Sequence, residues 1–201
     1  MITAFPHFTR RLRPLIVSLA IAGGLLAIPA RAETFSSAYT STAEKDCGAN
    51  ATIRKGIDGL IVRVQEDDLR RTVSIGRTAK QAEKEPATGQ SFGPFNYTGD
   101  TIEWRRDSAG KPFATIQRWY LADNDDTDKD GRPRSAQMLV VTRLPPGAVC
   151  HVAYVDVKAN PNANEVARDA ADRLAKTFDC AKDKVSVVGN SGRATTLGLA
   201  R

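Results

Sequence analysis

The sequence predicts an α+β domain, a mainly antiparallel sheet of about six strands with one C-terminal helix packed on it. Three observations predict it. Runs of branched and aromatic residues recur between Gly59 and Val157. Short clusters of Gly, Pro, Asp and Ser separate them. A single amphipathic period of helical length follows, from Asn162 to Phe178. A β-sandwich with an accessory helix is the alternative reading.

The first segment lies outside this domain. Arg10, Arg11 and Arg13 form a positive region, and Leu15 to Ile28 is apolar apart from Ser18 and Gly23-Gly24. Ala30-Arg31-Ala32 reads as a small-x-small cleavage site, so residues 1–32 are expected to be a removable export signal. A spanning helix needs about 20 apolar residues, more than this run supplies. Arg13-Pro14 stands where a twin-arginine signal carries an apolar pair, so ordinary secretion is the expected route. The working protein is then residues 33–201, periplasmic or extracellular, without a transmembrane segment.

Removing the leader changes the charge. The chain has 29 Lys+Arg and 23 Asp+Glu, and four arginines with no acid belong to residues 1–32. What remains is 25 against 23, a net charge of +2 that is no argument for a nucleic-acid partner.

Residues 33–56 are small and polar without a clear period and read as an irregular arm. The single domain is expected to span residues 57–188. Gly59 to Val64 and Thr72 to Ile75 read as strands. Residues 78–100 carry Gly, Pro, Asn and many charges and read as a long surface loop. Thr101–Arg106, Pro112–Leu121, Ala136–Leu144 and Val149–Val157 are four strand-like runs. Asp107-Ser108-Ala109-Gly110 and Leu144-Pro145-Pro146-Gly147 are turns between them, which predicts an antiparallel meander. Val149 to Val157 is apolar on both faces, as a central covered strand would be.

The helix starts at Asn162, with Glu165 placed to complete a capping box. Val166, Ala170, Leu174 and Phe178 recur every four residues, with alanines beside them that imply close approach to the sheet. Asp169 with Arg173, and Asp172 with Lys176, are favourable pairs on its outer face. Val185 to Val188 reads as a last short strand. If it joins the sheet beside residues 149–157, the unit is a βαβ crossover. Residues 189–201 read as a loose tail.

Strand and helix together constrain the cysteines. At about 3.3 Å per residue, Cys150 to Val157 climbs roughly 23 Å. At about 1.5 Å per residue, Asn162 to Phe178 descends roughly 24 Å. The matched lengths bring Cys180 level with Cys150 and point to a disulfide in an oxidising compartment; two buried thiols are the alternative. Cys47 is left over as a free thiol.

The candidate chemistry is sparse. Trp104, Arg105, Arg118, Trp119 and Tyr120 fall on the first hairpin of the meander, and aromatics interleaved with arginines fit a binding surface for a glycan, an anionic surface or a protein partner. Asp126, Asp128, Asp130 and Gly131 match the start of a calcium loop, but its twelfth position is Gln137 where a bidentate Glu is required. A solvated acidic hairpin loop is the reading adopted. Ser191 in Gly189-Asn190-Ser191-Gly192 could be served only by His151, on a central strand, so no catalytic pair is expected. Glu66-Asp67-Asp68 reads as a solvated turn. No cofactor or metal is expected.

Several stretches together resemble an uncharacterised family of small exported proteins from soil and plant-associated alphaproteobacteria. They are Phe35-Ser-Ser-Ala-Tyr-Thr40, Asp68-Leu-Arg-Arg-Thr-Val-Ser-Ile-Gly76, Thr101-Ile-Glu-Trp-Arg105, Lys111-Pro-Phe-Ala-Thr-Ile-Gln-Arg-Trp119 and Cys150-His-Val-Ala-Tyr-Val-Asp156 through Glu165. The resemblance covers nearly all of residues 33–201 and implies no activity, cofactor or catalytic residue. In the family pattern a second cysteine follows the Cys47 position. Here the stretch near Ile53-Arg54-Lys55-Gly56 has none, which implies that Cys47 is the remaining half of a lost bridge.

The expected function is therefore an exported envelope or secreted domain that binds a partner, an envelope protein or a cell-wall glycan, without enzymatic activity. The alternative is a hydrolase or lyase using carboxylates that only the fold brings together.

Overall fold

The computed structural model describes residues 1–2, 33–43 and 51–200. The chain divides between Ala32 and Glu33, and the fold below is that of the second unit. The expected leader from residue 3, the middle of the expected arm and Cys47 lie outside the described residues.

In chain order the elements are β1 (Ser36–Ser41), β2 (Ala51–Lys55), β3 (Ile61–Asp67), β4 (Arg70–Gly76), α1 (Ala79–Lys84), a 3-10 turn (Pro86–Gly89), β5 (Asn96–Arg106), β6 (Pro112–Thr127), β7 (Pro133–Arg143), β8 (His151–Asp156), α2 (Ala163–Leu174), β9 (Ser186–Val187) and α3 (Arg193–Leu199). The class is α+β, as the sequence predicts, but its finer description needs correction. There are two sheets. Strands β1-β5-β6-β7-β8-β9 form a six-stranded mixed sheet in that order, and β2-β3-β4 form a separate three-stranded sheet. All neighbours are antiparallel except β8 and β9.

The reason for the second sheet is local. The runs 59–64 and 72–75 are strands, but they pair with each other through the Asp68-Leu69 turn, and β2 adds to β3. The expected arm supplies both β1 and β2. Their small and polar residues lack a hydrophobic period because each is an edge strand. The expected loop 78–100 holds α1, capped by the Thr78 side chain on Gln81 N–H, and the first five residues of β5. A six-residue helix is too short to show a period.

Alternation on β6 divides the core. Trp119 and Leu121 face the three-stranded sheet and join Val62, Ile75, Trp104 and Met138 in one cluster. Ala114 and Ile116 face the other way, with Leu139, Val141, Ala153 and Val155, under α2. The buried stripe of α2 is Ala163, Ala167, Ala170 and Ala171, and these small side chains let the helix sit close on β7 and β8. Asn162 occupies the position before the helix but makes no side-chain capping bond, against expectation. Asp169 and Arg173 pair as expected, 2.6 Å apart. Asp172 does not take Lys176; it binds Arg105 of β5, while Lys176 pairs with Glu33.

The crossover forms. Strand β9 lies parallel to β8, with Ala153 opposite Ser186 and Tyr154 opposite Val187. Cys150 and Cys180 are disulfide-bonded, their Cα atoms 5.9 Å apart. The tail is helix α3. It escapes notice in the sequence because seven residues, Arg-Ala-Thr-Thr-Leu-Gly-Leu, carry too little pattern. Asp156 Oδ2 accepts the N–H groups of Ala194 and Thr195 at its start. Arg193 donates to Asp123 and Asp125. A Cβ on Gly192 would lie 2.7 Å from the Asp156 carboxyl carbon, so a side chain there would push the helix off its anchor.

Candidate ligand-binding site

The five hairpin residues chosen from the sequence separate by face. Trp104 and Trp119 are 0% and 1% exposed and lie in the core between the sheets. Trp104 Nε1 donates to Thr40 Oγ1 at 2.8 Å. Truncating a buried tryptophan to alanine costs about 3–5 kcal/mol, so these rings serve folding rather than recognition. Successive strand residues point to opposite faces, which sets Arg105, Arg118 and Tyr120 on the side away from the tryptophans.

Arg105 is spent there. Its Nε and Nη2 hold Asp172 of α2 at 2.9 and 2.6 Å, and its Nη1 donates to Ser37 Oγ. Ser37 in turn donates to Glu103, which takes Arg168 of α2 on both oxygens. The Glu103 contact raises the Arg168 pKa. This network, in which Arg105 and Glu103 are nearly buried and Asp172 and Arg168 partly exposed, is fully paired and ties β1, β5 and α2 together. Arg118 donates to Gln137 Oε1 at 2.6 Å.

Tyr120 is the residue that leads to a site. It stands opposite Tyr97 of β5, and the two rings stack with centroids 4.6 Å apart and planes 6° from parallel. Tyr97 is 48% exposed. Beside it, the β5–β6 register slips between Thr98 and Ile102, and Gln117 of β6 donates its Nε2 to the Gly99 carbonyl across the gap at 2.9 Å. A groove of about 840 Å³ surrounds this irregular stretch. Its walls come from both sheets: Thr42, Thr98 and Asp100 on one side, Arg54, Glu66 and Arg71 on the other, with Tyr97 and Tyr120 among the lining residues. Arg71 Nε donates to Glu66 Oε2 at 2.8 Å, and Arg71 N–H is accepted by Asn96 Oδ1. The groove therefore offers flat aromatic surface, hydroxyls, and charges of both signs in balance. Its volume is within the range of ordinary ligand pockets, about 300–1,000 Å³.

Tyr97, Asp100 and Arg71 escape the sequence reading. Phe95 and Tyr97 flanking Asn96 is a period-2 signal, but Gly93-Pro94 before it and Gly99-Asp100 after it read as loop. Glu66 reads as part of a solvated turn; the structure sets it at the end of β3, in the groove wall.

The other candidate residues make contacts that shape turns and anchor elements. Asp128 Oδ1 accepts the N–H groups of Asp130 and Arg132, at 2.9 Å each, and so shapes the β6–β7 turn. Asp126 lies 3.5 Å from Arg134. Among the described residues, no three His, Cys, Asp or Glu side chains gather as a metal-holding group. A second cavity of about 320 Å³ near this hairpin includes Asp123, Asp156 and Arg193, all engaged in anchoring α3. Arg193 holds the Asp123 carboxyl below the ordinary carboxylate range, chiefly by hydrogen bonding. His151 is buried among Phe92, Trp119 and Tyr154. Its Nδ1 meets the Tyr154 hydroxyl at 3.0 Å, and its Nε2 has no hydrogen-bond partner. Burial pushes its pKa down to about 3, a value unsuited to a general base near neutrality.

Comparison with family models, with curated proteins and with solved structures finds no match to this chain. Among the described residues no helix is long and apolar enough to cross a membrane.

Proposed function

We propose that this chain is an exported, non-enzymatic binding domain that holds a saccharide of the cell envelope in the groove between its two sheets. The observation that carries the reading is the parallel Tyr97–Tyr120 stack, with Tyr97 half open to solvent, among the residues lining a groove that also offers hydroxyls and paired charges. A pyranose ring offers an apolar C–H face to an aromatic plane and hydroxyls to the neighbouring polar groups. Such sites combine flat aromatic area with a few placed hydrogen-bonding groups. Balanced charge on the walls disfavours a strongly polyanionic or polycationic ligand.

Two further observations support export. Residues 10–32 have the order of a secretory signal, and the Cys150–Cys180 bridge suits an oxidising compartment. The second compact unit of the chain begins at Glu33, the residue after the expected cleavage point.

The test is co-sedimentation of the protein, recovered from the envelope, with insoluble cell-wall glycan, followed by calorimetric titration with soluble fragments. Tyr97→Ala and Tyr120→Ala should each weaken binding by about tenfold or more, equivalent to about 1.4 kcal/mol. Undiminished binding by both variants would remove the groove from consideration.

A second reading is kept by one observation. Glu66 and Asp100 both line the groove, so carboxylates from separate elements share one cavity, as a glycoside-cleaving site requires. Release of reducing ends from the bound glycan, abolished in Glu66→Gln, would favour it over simple binding.

A further inference from the structure

Resting on the groove reading, we infer that the saccharide site continues outside the groove as a second subsite built on Phe95 and Arg70, so that the ligand is a chain of several sugar units. Phe95 is not a groove residue. It precedes β5, yet its carbonyl accepts the N–H of Ala122 at 2.8 Å, so the β5–β6 pairing extends through it. Phe95 and Tyr97 therefore stand two positions apart on one side of the same strand, about 7 Å from each other along it. Each is 48% exposed, while Asn96 between them is 5% exposed. That spacing is comparable to one pyranose ring and its linkage.

The outer position is constructed rather than incidental. The Arg70 guanidinium lies over the Phe95 ring, 4.9 Å from its centroid. Its Nε donates to the Gly93 carbonyl at 2.8 Å, and its Nη1 donates to the Asp68 carboxylate at 2.5 Å. Asp68 itself belongs to a strained turn. Asp68 and Leu69 have φ of 46° and 58°, left-handed conformations that residues other than glycine rarely adopt. Such strain costs on the order of 1 kcal/mol or more per residue and gathers at functional sites. The Asp68 carboxylate of this turn meets Arg70, Leu69 is 58% exposed, and the Leu69 carbonyl accepts Asn96 N–H. The Arg70 guanidinium holds one face of the Phe95 ring, so the exposed remainder of this 48% exposed ring is the surface a sugar would stack on, with Nη2 as the guanidinium nitrogen that neither Gly93 nor Asp68 takes.

The arrangement predicts an affinity that climbs with chain length. The experiment titrates β-1,4-linked oligomers of glucose and of N-acetylglucosamine, one to six units long, into the wild type and into the Tyr97→Ala, Phe95→Ala and Arg70→Ala variants. Both aromatic positions are half-exposed, so the variants should keep the wild-type melting profile, which circular dichroism checks. The expected result is wild-type affinity rising at least fivefold from the shortest to the longest binding oligomer. Tyr97→Ala should weaken every length, whereas Phe95→Ala and Arg70→Ala should weaken only the longer ones and flatten the rise. If Tyr97→Ala weakens all lengths but Phe95→Ala keeps the wild-type rise, the outer subsite is refuted and the groove reading stands. If no oligomer of either series binds, both fall together.

Discussion

His151 shows how a single residue's surroundings set its chemistry. It is enclosed by aromatic rings, with one ring nitrogen on the Tyr154 hydroxyl and the other on nothing. Its charged form is therefore excluded, and its pKa falls from 6.5 to about 3. In the unfolded chain the same ring titrates near 6.5. Above that pH both states are neutral and His151 contributes no pH dependence. Between about 6.5 and 3 the unfolded state binds a proton that the folded state refuses, so stability declines as pH falls, by up to about 1.4 kcal/mol per pH unit. His151→Phe, which keeps the aromatic packing, should show a shallower decline between pH 6 and 4 in denaturant titrations; curves parallel to the wild type would contradict this. The residue scale is also where the sequence was least informative. Trp104, Trp119 and Tyr120 share one hairpin, and the sequence does not say that two of them are core and one is open. Neighbours on a strand face opposite ways, but which side is covered depends on the second sheet.

At the scale of elements, legibility followed length and burial. The second half of β5, the central runs of β6 and β7, the buried β8 and the twelve-residue α2 are legible, because period and composition agree in them. The paired cysteines were legible for a geometric reason, since strand and return helix have equal length. Strands β1 and β2, and helices α1 and α3, carried too few apolar residues to show. The disulfide encloses β8, α2 and the approach to β9, and β9 itself contributes only two paired residues. With a separation of 30 residues, the chain-entropy model assigns the bridge about 3–4 kcal/mol. The double variant Cys150→Ala, Cys180→Ala should lose roughly that much in denaturant unfolding. Its first proteolytic cuts are expected between residues 181 and 192, because β9 then has little else to hold it.

The whole molecule joins two sheets whose seam is core at one end and open groove at the other. That plan accounts for the missed site. A groove assembled from β2, β3, β4 and a break in β5 has no contiguous sequence signal. The export proposal also belongs to this scale, and intact-mass measurement on material from the native envelope should find a chain beginning at Glu33; retention of Met1 would oppose it. The anchoring of α3 bears on how the protein reaches its final state. Carboxylates on β6 and β8 await partners from Gly192 to Thr195, and Phe92, Leu121 and Met138 await the cover that lets Gly198 approach them. Those partners are synthesised after every strand. Under the export proposal, a chain crossing a membrane with its N-terminus leading carries this apolar face uncovered until residues 192–199 emerge, and that interval is when a chaperone of the receiving compartment would find it.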